Sequence, residues 1–286
     1  MSDKIDRRQA LAAFGAVSLG SVLAACGADE DTAAVTTTGG DSATVQARTP
    51  TSAATAKLFD ASAACALTPQ MTEGPYYFDV DSIRSDIRED REGAPLRLAI
   101  RVRGTGSCEP LENAVVDIWH CDAIGEYSGF EAAVTSGAGG PPGPPPAGGG
   151  GPPGPPPAGG GSPSGVPPAG GGGRTPTDKK TYLRGAQVTN ADGVVDFKTV
   201  YPGWYRGRTV HIHTKVHLDR ATMLTTQLFF DEDLNAAVFA RAPYSRRTGR
   251  DMFNDRDGIF DKRLVMTTSK DGDGYLGVMT FDVQSA

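Results

Sequence analysis

Short stretches of the chain alternate apolar and polar side chains with a period of two. The clearest one spans residues 96–103, where apolar residues occupy every second position: Leu96, Leu98, Ile100 and Val102. Successive side chains of a β-strand point to opposite faces, so this pattern predicts a strand with one buried face.

Further strands are predicted where similar apolar runs lie between turn-forming residues, at 114–120, 186–189, 194–197, 209–218, 222–230, 264–267 and 275–283. The Asn190–Gly193 segment is typical of a hairpin turn. After the N-terminal region, no stretch of twelve or more residues keeps the 3.6-residue period of a helix. Many short strands with close turns favour an all-β sandwich or barrel, and we expect a β-sandwich of mostly antiparallel strands.

The N-terminal residues 1–25 have the composition of an export signal. Arg7 and Arg8 precede an apolar run that is too short to span a membrane, and the paired arginines suggest the twin-arginine route. The sequence Leu-Ala-Ala-Cys ending at Cys26 resembles a lipobox, which predicts lipidation of Cys26 and an anchored protein on the extracytoplasmic side. The alternative is an ordinary signal with an incidental cysteine.

Two segments lack any pattern that would bury apolar surface. Residues 26–57 are rich in small and polar residues and are predicted to be a flexible tether, which leaves 58–286 as one folded domain. Within it, residues 138–173 contain only Gly, Pro, Ala, Ser and one Val. With nothing to bury, this segment is predicted to be a disordered insertion in a surface loop.

Charge and cysteine content limit the partners and the redox state. The chain has 28 basic and 34 acidic residues, a formal net charge of −6, which argues against nucleic acid or an anionic membrane surface as the main partner. Outside the cytoplasm, Cys65, Cys108 and Cys121 would give one disulfide and one buried thiol, with the pairing open. The oligomeric state also stays open.

His211 and His213 are candidate metal ligands. In a strand they lie on the same face, about 6.6–7 Å apart along the backbone, so both imidazoles can reach one ion. His217 shares that face but lies roughly 13 Å beyond His213, too far to join the same ion. The neighbouring residues lack the carboxylate of a cupin or of a ferrous two-histidine site. Zinc with a distant third ligand stays possible, and the pair alone is a weak signal.

Three sequence segments together give a more specific signal than the two histidines alone. They are Thr72–Tyr77, Val116–Ser128 and Pro202–His213, and they resemble, in this order, the motifs of the intradiol ring-cleavage dioxygenases. Gln227 also falls where these enzymes carry a glutamine. The resemblance runs from about Leu67 to Phe230 and is interrupted by the Gly/Pro-rich insertion.

The resemblance implies a non-haem Fe(III) cofactor and its ligands. Two tyrosines and two histidines hold the ion in this family, and they correspond here to Tyr127, Tyr205, His211 and His213. Phenolate is a hard oxygen donor with an unperturbed pKa near 10, and a trivalent ion can hold it deprotonated at neutral pH.

The resemblance also implies the reaction. A small aromatic diol of the catechol type and O2 would be the substrates, as in catechol 1,2-dioxygenase or protocatechuate 3,4-dioxygenase, and a muconate-type diacid the product. Tyr205 would serve as an internal base and Arg208 would stabilise negative charge on the ring. Gln227 would be a hydrogen-bond partner in the site, and Gly74, Pro75 and Tyr76 would line the pocket.

Two departures from the family limit what is carried over. Tyr205 and His211 are closer in sequence than in the well-known cytoplasmic members, and the N-terminal helical linker region of the catechol-cleaving type is missing. We therefore expect neither the dimer contacts nor the substrate range of those enzymes. The alternative function is a non-enzymatic extracellular β-sandwich binding module with a relic or zinc-occupied metal site.

Overall fold

A computed structural model of the chain shows two four-stranded β-sheets packed as a sandwich. It describes residues 33–36, 42–45, 51–59, 65–78, 80, 82–131, 174–218 and 221–284. The strands are β1 (Ala33–Thr36), β2 (Ser42–Val45), β3 (Pro95–Gly104), β4 (Val115–Trp119), β5 (Arg184–Val188), β6 (Val194–Val200), β7 (His211–Leu218), β8 (Ala221–Phe229), β9 (Thr267–Asp271) and β10 (Gly274–Val283). The helices are α1 (Ala53–Phe59) and α2 (Glu232–Phe239), with 3-10 turns at Tyr244–Arg246 and Lys262–Leu264.

The two sheets differ in their strand directions. One has the order β6-β3-β10-β9, in which β10 runs parallel to β3 and the other pairs are antiparallel. The other has the order β5-β4-β7-β8 and is antiparallel throughout. The prediction of an all-β sandwich with mostly antiparallel strands is confirmed.

The core lies between the sheets, and the period-two pattern of β3 accounts for its position. The four apolar residues of that pattern are all at most 2% exposed, whereas Arg97 and Arg101 on the opposite face are partly exposed. Side chains of the second sheet meet them in one cluster: Val116, Ile118, Ile212, Val216 and Leu228. Each such burial stabilises the fold by about 1.5–3 kcal/mol.

The folded domain begins earlier than the predicted boundary at residue 58. Helix α1 packs on the outer face of the first sheet, where Phe59 is buried against Ala99, Leu276 and Val278. The guanidinium of Arg97 donates to Thr55 Oγ1 at 3.1 Å. The last residues of the predicted tether therefore belong to the domain, because they cover apolar surface that would otherwise face water. Strands β1 and β2, which pair with each other, also lie within the predicted tether.

Smaller differences occur near the C-terminal end. Of the strand predicted at 264–267, Leu264 ends a 3-10 turn, Val265 forms an isolated bridge with Phe229, and β9 begins only at Thr267. Helix α2 was not predicted, because its eight residues are too few to show a clear helical period. Its N-cap is Asp231, whose side chain accepts a hydrogen bond from the backbone N–H of Asp233.

Several predictions fall outside the described residues: the export signal 1–25, the lipidation of Cys26 and the insertion 138–173. Among the described residues, no helix has the length and apolarity needed to cross a bilayer. In the same part of the chain the three cysteines are free thiols, so the predicted disulfide is absent there. Cys121 is the buried thiol, Cys65 is half-buried and Cys108 is exposed.

Candidate active site

Strand β7 presents two histidines on the face of its sheet that points away from the core. Ile212 and Val216 point into the core, so His211 and His213 point outward by strand alternation. Both imidazoles are nevertheless buried, at 2% exposure each, because two loops cover this face of the sheet. These are the loop 67–78 and the loop 121–130.

The two imidazoles point at one position. Nε2 of His211 lies 3.1 Å from Nε2 of His213. Nδ1 of His211 donates to the carbonyl of Thr209 at 2.6 Å, so the neutral ring presents the lone pair of Nε2. Burial and the charge of Arg208 lower the pKa of His211 well below its usual range. Burial and the neighbouring His211 do the same for the pKa of His213. Both rings are therefore neutral and can donate electron pairs.

Tyr205 reaches the same position from the loop before β7. Its hydroxyl lies 3.1 Å from Nε2 of His211. Gly203 brings this loop against the loop of Tyr127, since its backbone N–H donates to the carbonyl of Asp122 at 2.9 Å. A Cβ at Gly203 would lie 2.5 Å from the carbonyl oxygen of Ala123. Only glycine permits this approach of the two loops.

Tyr127 arrives from the loop after β4 and meets Tyr205 edge to face, with ring centroids 5.7 Å apart. Buried Arg184 fixes this loop by donating to the Ser128 side chain at 2.8 Å and to the Ser128 carbonyl at 2.9 Å. The Tyr127 hydroxyl is buried and makes no hydrogen bond of normal geometry within the described residues, although the Tyr205 hydroxyl is near enough to contribute to the raised pKa of Tyr127. A buried hydroxyl without a partner is costly and needs an explanation.

A metal ion would supply that explanation. Two ligand atoms bound about 2.1 Å from one ion lie about 3.0–3.4 Å apart, depending on the geometry. The two separations of 3.1 Å, from His211 Nε2 to Tyr205 Oη and from His211 Nε2 to His213 Nε2, fall in this range. Within the described residues, no group of three or more histidine, cysteine, aspartate or glutamate side chains could hold a metal. The candidate set instead combines two imidazoles with two phenols, and these residues fit an iron ion.

The protein environment keeps both phenols protonated in the absence of a cation. Burial raises the pKa of Tyr127 and of Tyr205 well above the usual value. A cation that binds both oxygens as phenolates must therefore overcome this burial effect. A trivalent ion does so more readily than a divalent one, and the donor set favours a hard cation such as Fe(III).

Arg208 lies beside this centre and is held at both ends of its guanidinium group. Nε donates to Asp257 at 2.8 Å, and Nη2 donates to Gln227 Oε1 at 2.6 Å. The arginine is 3% exposed. Gln227 is the register partner of His213 on β8. The two residues predicted from the sequence as catalytic neighbours therefore contact each other beside the histidines.

The three residues that are predicted to line the pocket, Gly74, Pro75 and Tyr76, lie in the loop that covers this site. A Cβ at Gly74, whose φ is +73°, would lie 3.1 Å from Cε1 of His213. The Tyr76 ring stacks on that of Tyr127, with centroids 4.8 Å apart. The carbonyl of Pro75 accepts a hydrogen bond from the backbone of Arg174 at 3.0 Å.

Sequence reasoning missed three residues of this region. Trp119 stacks on His213 with centroids 4.9 Å and planes 5° apart; it lies within the Val116–Ser128 segment, but the resemblance implies no role for it. Arg184 opens β5 and Asp257 lies in a polar segment, so neither has a periodic pattern around it. Their contacts join residues more than 45 positions apart, which a local pattern does not reveal.

The fold and the site define a class: an all-β sandwich with a candidate mononuclear centre of two tyrosines and two histidines. Comparison with solved structures finds an intradiol ring-cleavage dioxygenase from Tetranychus urticae that is 30% identical, with a TM-score of 0.62. The match covers 77% of this chain and 95% of that one. The chain belongs to the intradiol ring-cleavage dioxygenase family.

A curated relative is more distant. Catechol 1,2-dioxygenase 1 from Acinetobacter lwoffii is 26% identical over 189 residues. This match covers 58% of the chain and 47% of the relative, so the chain spans about half the length of that protein. No protein-family model matches the chain.

Proposed function

We propose that this protein is a non-haem ferric dioxygenase that cleaves a catechol-type ring between its two hydroxyl-bearing carbons. Both atoms of O2 would enter the product, a muconate-type diacid. The observation that carries the proposal is that His211 Nε2 lies 3.1 Å from both Tyr205 Oη and His213 Nε2, beside the buried hydroxyl of Tyr127. Membership of the family supports it.

The metal ligands in this proposal are Tyr127, Tyr205, His211 and His213. These residues would hold a ferric ion, which would withdraw electron density from a bound catecholate and make the ring reactive towards O2. The covering loops exclude water from the same position, because all four side chains are at most 7% exposed. A dry site strengthens every charge interaction within it.

Tyr205 is the proposed base for the substrate. Held as a phenolate by the metal, its oxygen would accept a proton from a catechol hydroxyl as the diol binds, which would leave Tyr205 as a neutral phenol. Burial raises the pKa of Tyr205, so its phenolate would be a strong proton acceptor. Tyr205 is 7% exposed and Tyr127 is fully buried, so Tyr205 is the more accessible of the two phenols.

Arg208 is the proposed partner of the charge that develops on the ring. Its guanidinium is fixed by two hydrogen bonds and is buried, so it does not reorient during the reaction. A fixed cation in a dry site stabilises a developing negative charge far better than one in water does. Gly74, Pro75 and Tyr76 form the proposed wall that the diol meets, beside His213 and Tyr127.

The direct test is an oxygen-uptake screen of the iron-loaded protein with catechol, protocatechuate, hydroxyquinol and larger diphenols, followed by mass determination of the product. We expect one mole of O2 per mole of diol and a diacid product in at least one case. His211→Ala and Tyr205→Phe should abolish turnover. His217→Gln is the matched control, on the same strand and face, and should retain it.

No uptake with any diol by iron-loaded protein would refute the proposed activity. Undiminished turnover in both His211→Ala and Tyr205→Phe would show that the site is misplaced. A protein that is purified with a full complement of zinc and no iron would support the non-enzymatic binding module instead.

The proposed location follows from the N-terminal sequence. Lipidation of Cys26 would anchor the protein to the extracytoplasmic face of a membrane. Substitution of Cys26→Ser should then move the protein from the membrane fraction to the soluble exported fraction. Unchanged processing in the presence of globomycin would refute the lipidation.

A further inference from the structure

The carboxylate of Asp257 accepts hydrogen bonds from three groups. Oδ2 accepts from Arg208 Nε and from the backbone N–H of Thr209, both at 2.8 Å. Oδ1 accepts from the backbone N–H of Ile259 at 2.9 Å. The side chains of Arg208 and Asp257 are only 4% and 2% exposed. A carboxylate this enclosed has a single orientation.

We propose that Asp257 is a positioning residue for ring cleavage, which orients the guanidinium of Arg208 towards the bound diol. The inference rests on the proposed function, in which Arg208 stabilises charge on the ring. Asp257 itself touches neither metal nor substrate in this account, and it acts only through Arg208.

The geometry supports this role because Arg208 is held in a chain of hydrogen bonds. Asp257 fixes Nε, and Gln227 fixes Nη2 at 2.6 Å. Gln227 in turn donates from Nε2 to the carbonyl of Thr72 at 2.9 Å. This series of hydrogen bonds thus joins the C-terminal polar segment to the loop that carries Gly74 and Tyr76. An arginine side chain has many rotamers, and these contacts select one.

The buried positive charge of Arg208 also requires the carboxylate of Asp257 beside it. The guanidinium is a cation in a buried site, and Asp257 is its ion-pair partner within the described residues. Removal of one partner of a buried pair leaves an uncompensated charge, which draws water or a new partner towards itself. Arg208 would then move away from the position that the ring occupies.

Thr209, whose backbone N–H donates to Asp257, is also held in place by contacts that do not involve Asp257. The Thr209 hydroxyl bonds to Asn254 Oδ1 at 2.6 Å and accepts from Arg250 at 3.2 Å. The carbonyl of Thr209 that orients His211 therefore keeps its place when Asp257 changes. Substitution of Asp257 should disturb Arg208 and leave the metal ligands intact.

The chain offers a matched control for a buried ion pair. Arg103 and Asp282 pair at 2.7 Å on the other sheet, with side chains 11% and 6% exposed. Asp282→Asn removes the same kind of charge without touching Arg208. Any loss of activity that arises only from a weakened fold should appear in both variants.

The experiment compares Asp257→Asn with Asp282→Asn in the iron-loaded protein. The readouts are kcat per bound iron, the Kd of the diol measured without O2, and the visible spectrum. We expect Asp257→Asn to lower kcat about 100-fold, the loss that a misplacement of about 1 Å causes, with Kd and spectrum unchanged. Asp282→Asn should keep the wild-type kcat. Equal kcat values in the two variants would overturn the proposal.

A second variant covers the case in which Asp257→Asn does not fold. Asp257→Glu keeps the charge but moves the carboxylate by one methylene, and we expect kcat at least about tenfold lower. Wild-type kcat in this variant would overturn the proposal.

A measurement on iron-free protein separates this inference from the proposed function. Solvent exchange of the Arg208 Nε–H should be slow in wild type and fast in Asp257→Asn. If the wild-type protein shows this exchange pattern but is inactive, the dioxygenase activity is refuted and the pairing of Arg208 with Asp257 stands. Fast exchange in wild type would refute the positioning role, whatever the activity.

Discussion

The rings of Tyr127 and Tyr205 meet edge to face with centroids 5.7 Å apart, although the two residues lie in loops separated by two strands, β5 and β6. The close approach of Gly203 to Ala123 brings these loops together. A buried pair of phenols is unfavourable for charge in the absence of a cation, since burial raises the pKa of each. The arrangement is therefore suited to binding a strongly charged cation.

The unpartnered hydroxyl of Tyr127 gives a prediction about stability. In iron-free protein, Tyr127→Phe removes a buried hydroxyl without a partner, so the free energy of unfolding should stay the same or rise by up to about 1 kcal/mol. The iron content after loading should fall. Chemical denaturation and metal analysis measure the two effects.

Tyr201→Phe is the control for this variant. The buried hydroxyl of Tyr201 donates to Asn235 Oδ1 at 2.7 Å, so its loss should cost about 1–3 kcal/mol and leave the iron content unchanged. Equal destabilisation by the two variants, or full iron content in Tyr127→Phe, would contradict the assignment of Tyr127.

Buried His120 predicts a pH dependence of stability. Burial lowers the pKa of His120 from 6.5 to about 4, and its ring lies between the Cys121 carbonyl and the Thr199 hydroxyl, each at 2.7 Å. The unfolded chain binds a proton near pH 6.5 and the folded one does not. Stability is therefore fully present above pH 6.5 and falls by up to about 1.4 kcal/mol per pH unit as pH drops towards 4.

His120→Gln removes this contribution. The free energy of unfolding of the iron-free variant should fall less steeply between pH 6.5 and 5 than that of wild type, as measured by urea denaturation at several pH values. His211 and His213 add to the same trend in both proteins, because their pKa values are also lowered. Parallel pH profiles would show that His120 is not held neutral by the fold.

The position of α1 predicts where the domain can be truncated. A protein that starts at residue 51 should unfold at the same urea concentration as one that starts at residue 27. A protein that starts at residue 60 lacks Phe59 and should lose about 3–5 kcal/mol, the usual cost of emptying such a site. Equal stability of all three proteins would mean that α1 does not contribute to the domain.

The cysteines should differ in reactivity towards iodoacetamide. Cys108 is exposed and should be alkylated first in the native protein. Cys121 is buried, and burial raises the pKa of its thiol, so it should react only after unfolding. Peptide mass spectrometry over time measures the order. Rapid native labelling of Cys121 would contradict the packing around the Tyr127 loop.

The sequence predicted the sheets better than it predicted their surroundings. The alternation of Leu96, Leu98, Ile100 and Val102 is a local pattern that follows directly from strand geometry, and β3 forms there. Phe59 and α1 were missed because a seven-residue helix in an Ala-rich stretch has almost no periodic signal. Its burial depends on apolar positions of β3 and β10 that only the folded sheet brings together.

In the site, as in the fold, local patterns could be predicted and distant contacts could not. The candidate ligands and Arg208 were proposed from motif resemblance, and strand alternation explains why His211 and His213 share a face. Asp257 could not be inferred, since its pairing with Arg208 spans 49 positions and its neighbours are other polar residues. Contacts of this kind depend on the tertiary path of a loop, for which the sequence carries no local pattern.

The most direct test of the central claim is the visible spectrum of the iron-loaded protein before and after anaerobic addition of a diol. Two tyrosine oxygens on ferric iron should give a broad charge-transfer band and a burgundy colour, and the diol should shift the band. Tyr127→Phe should weaken or shift it in the resting protein. Iron-loaded protein without a visible band, or a band that no diol changes, would contradict a ferric site of these four residues.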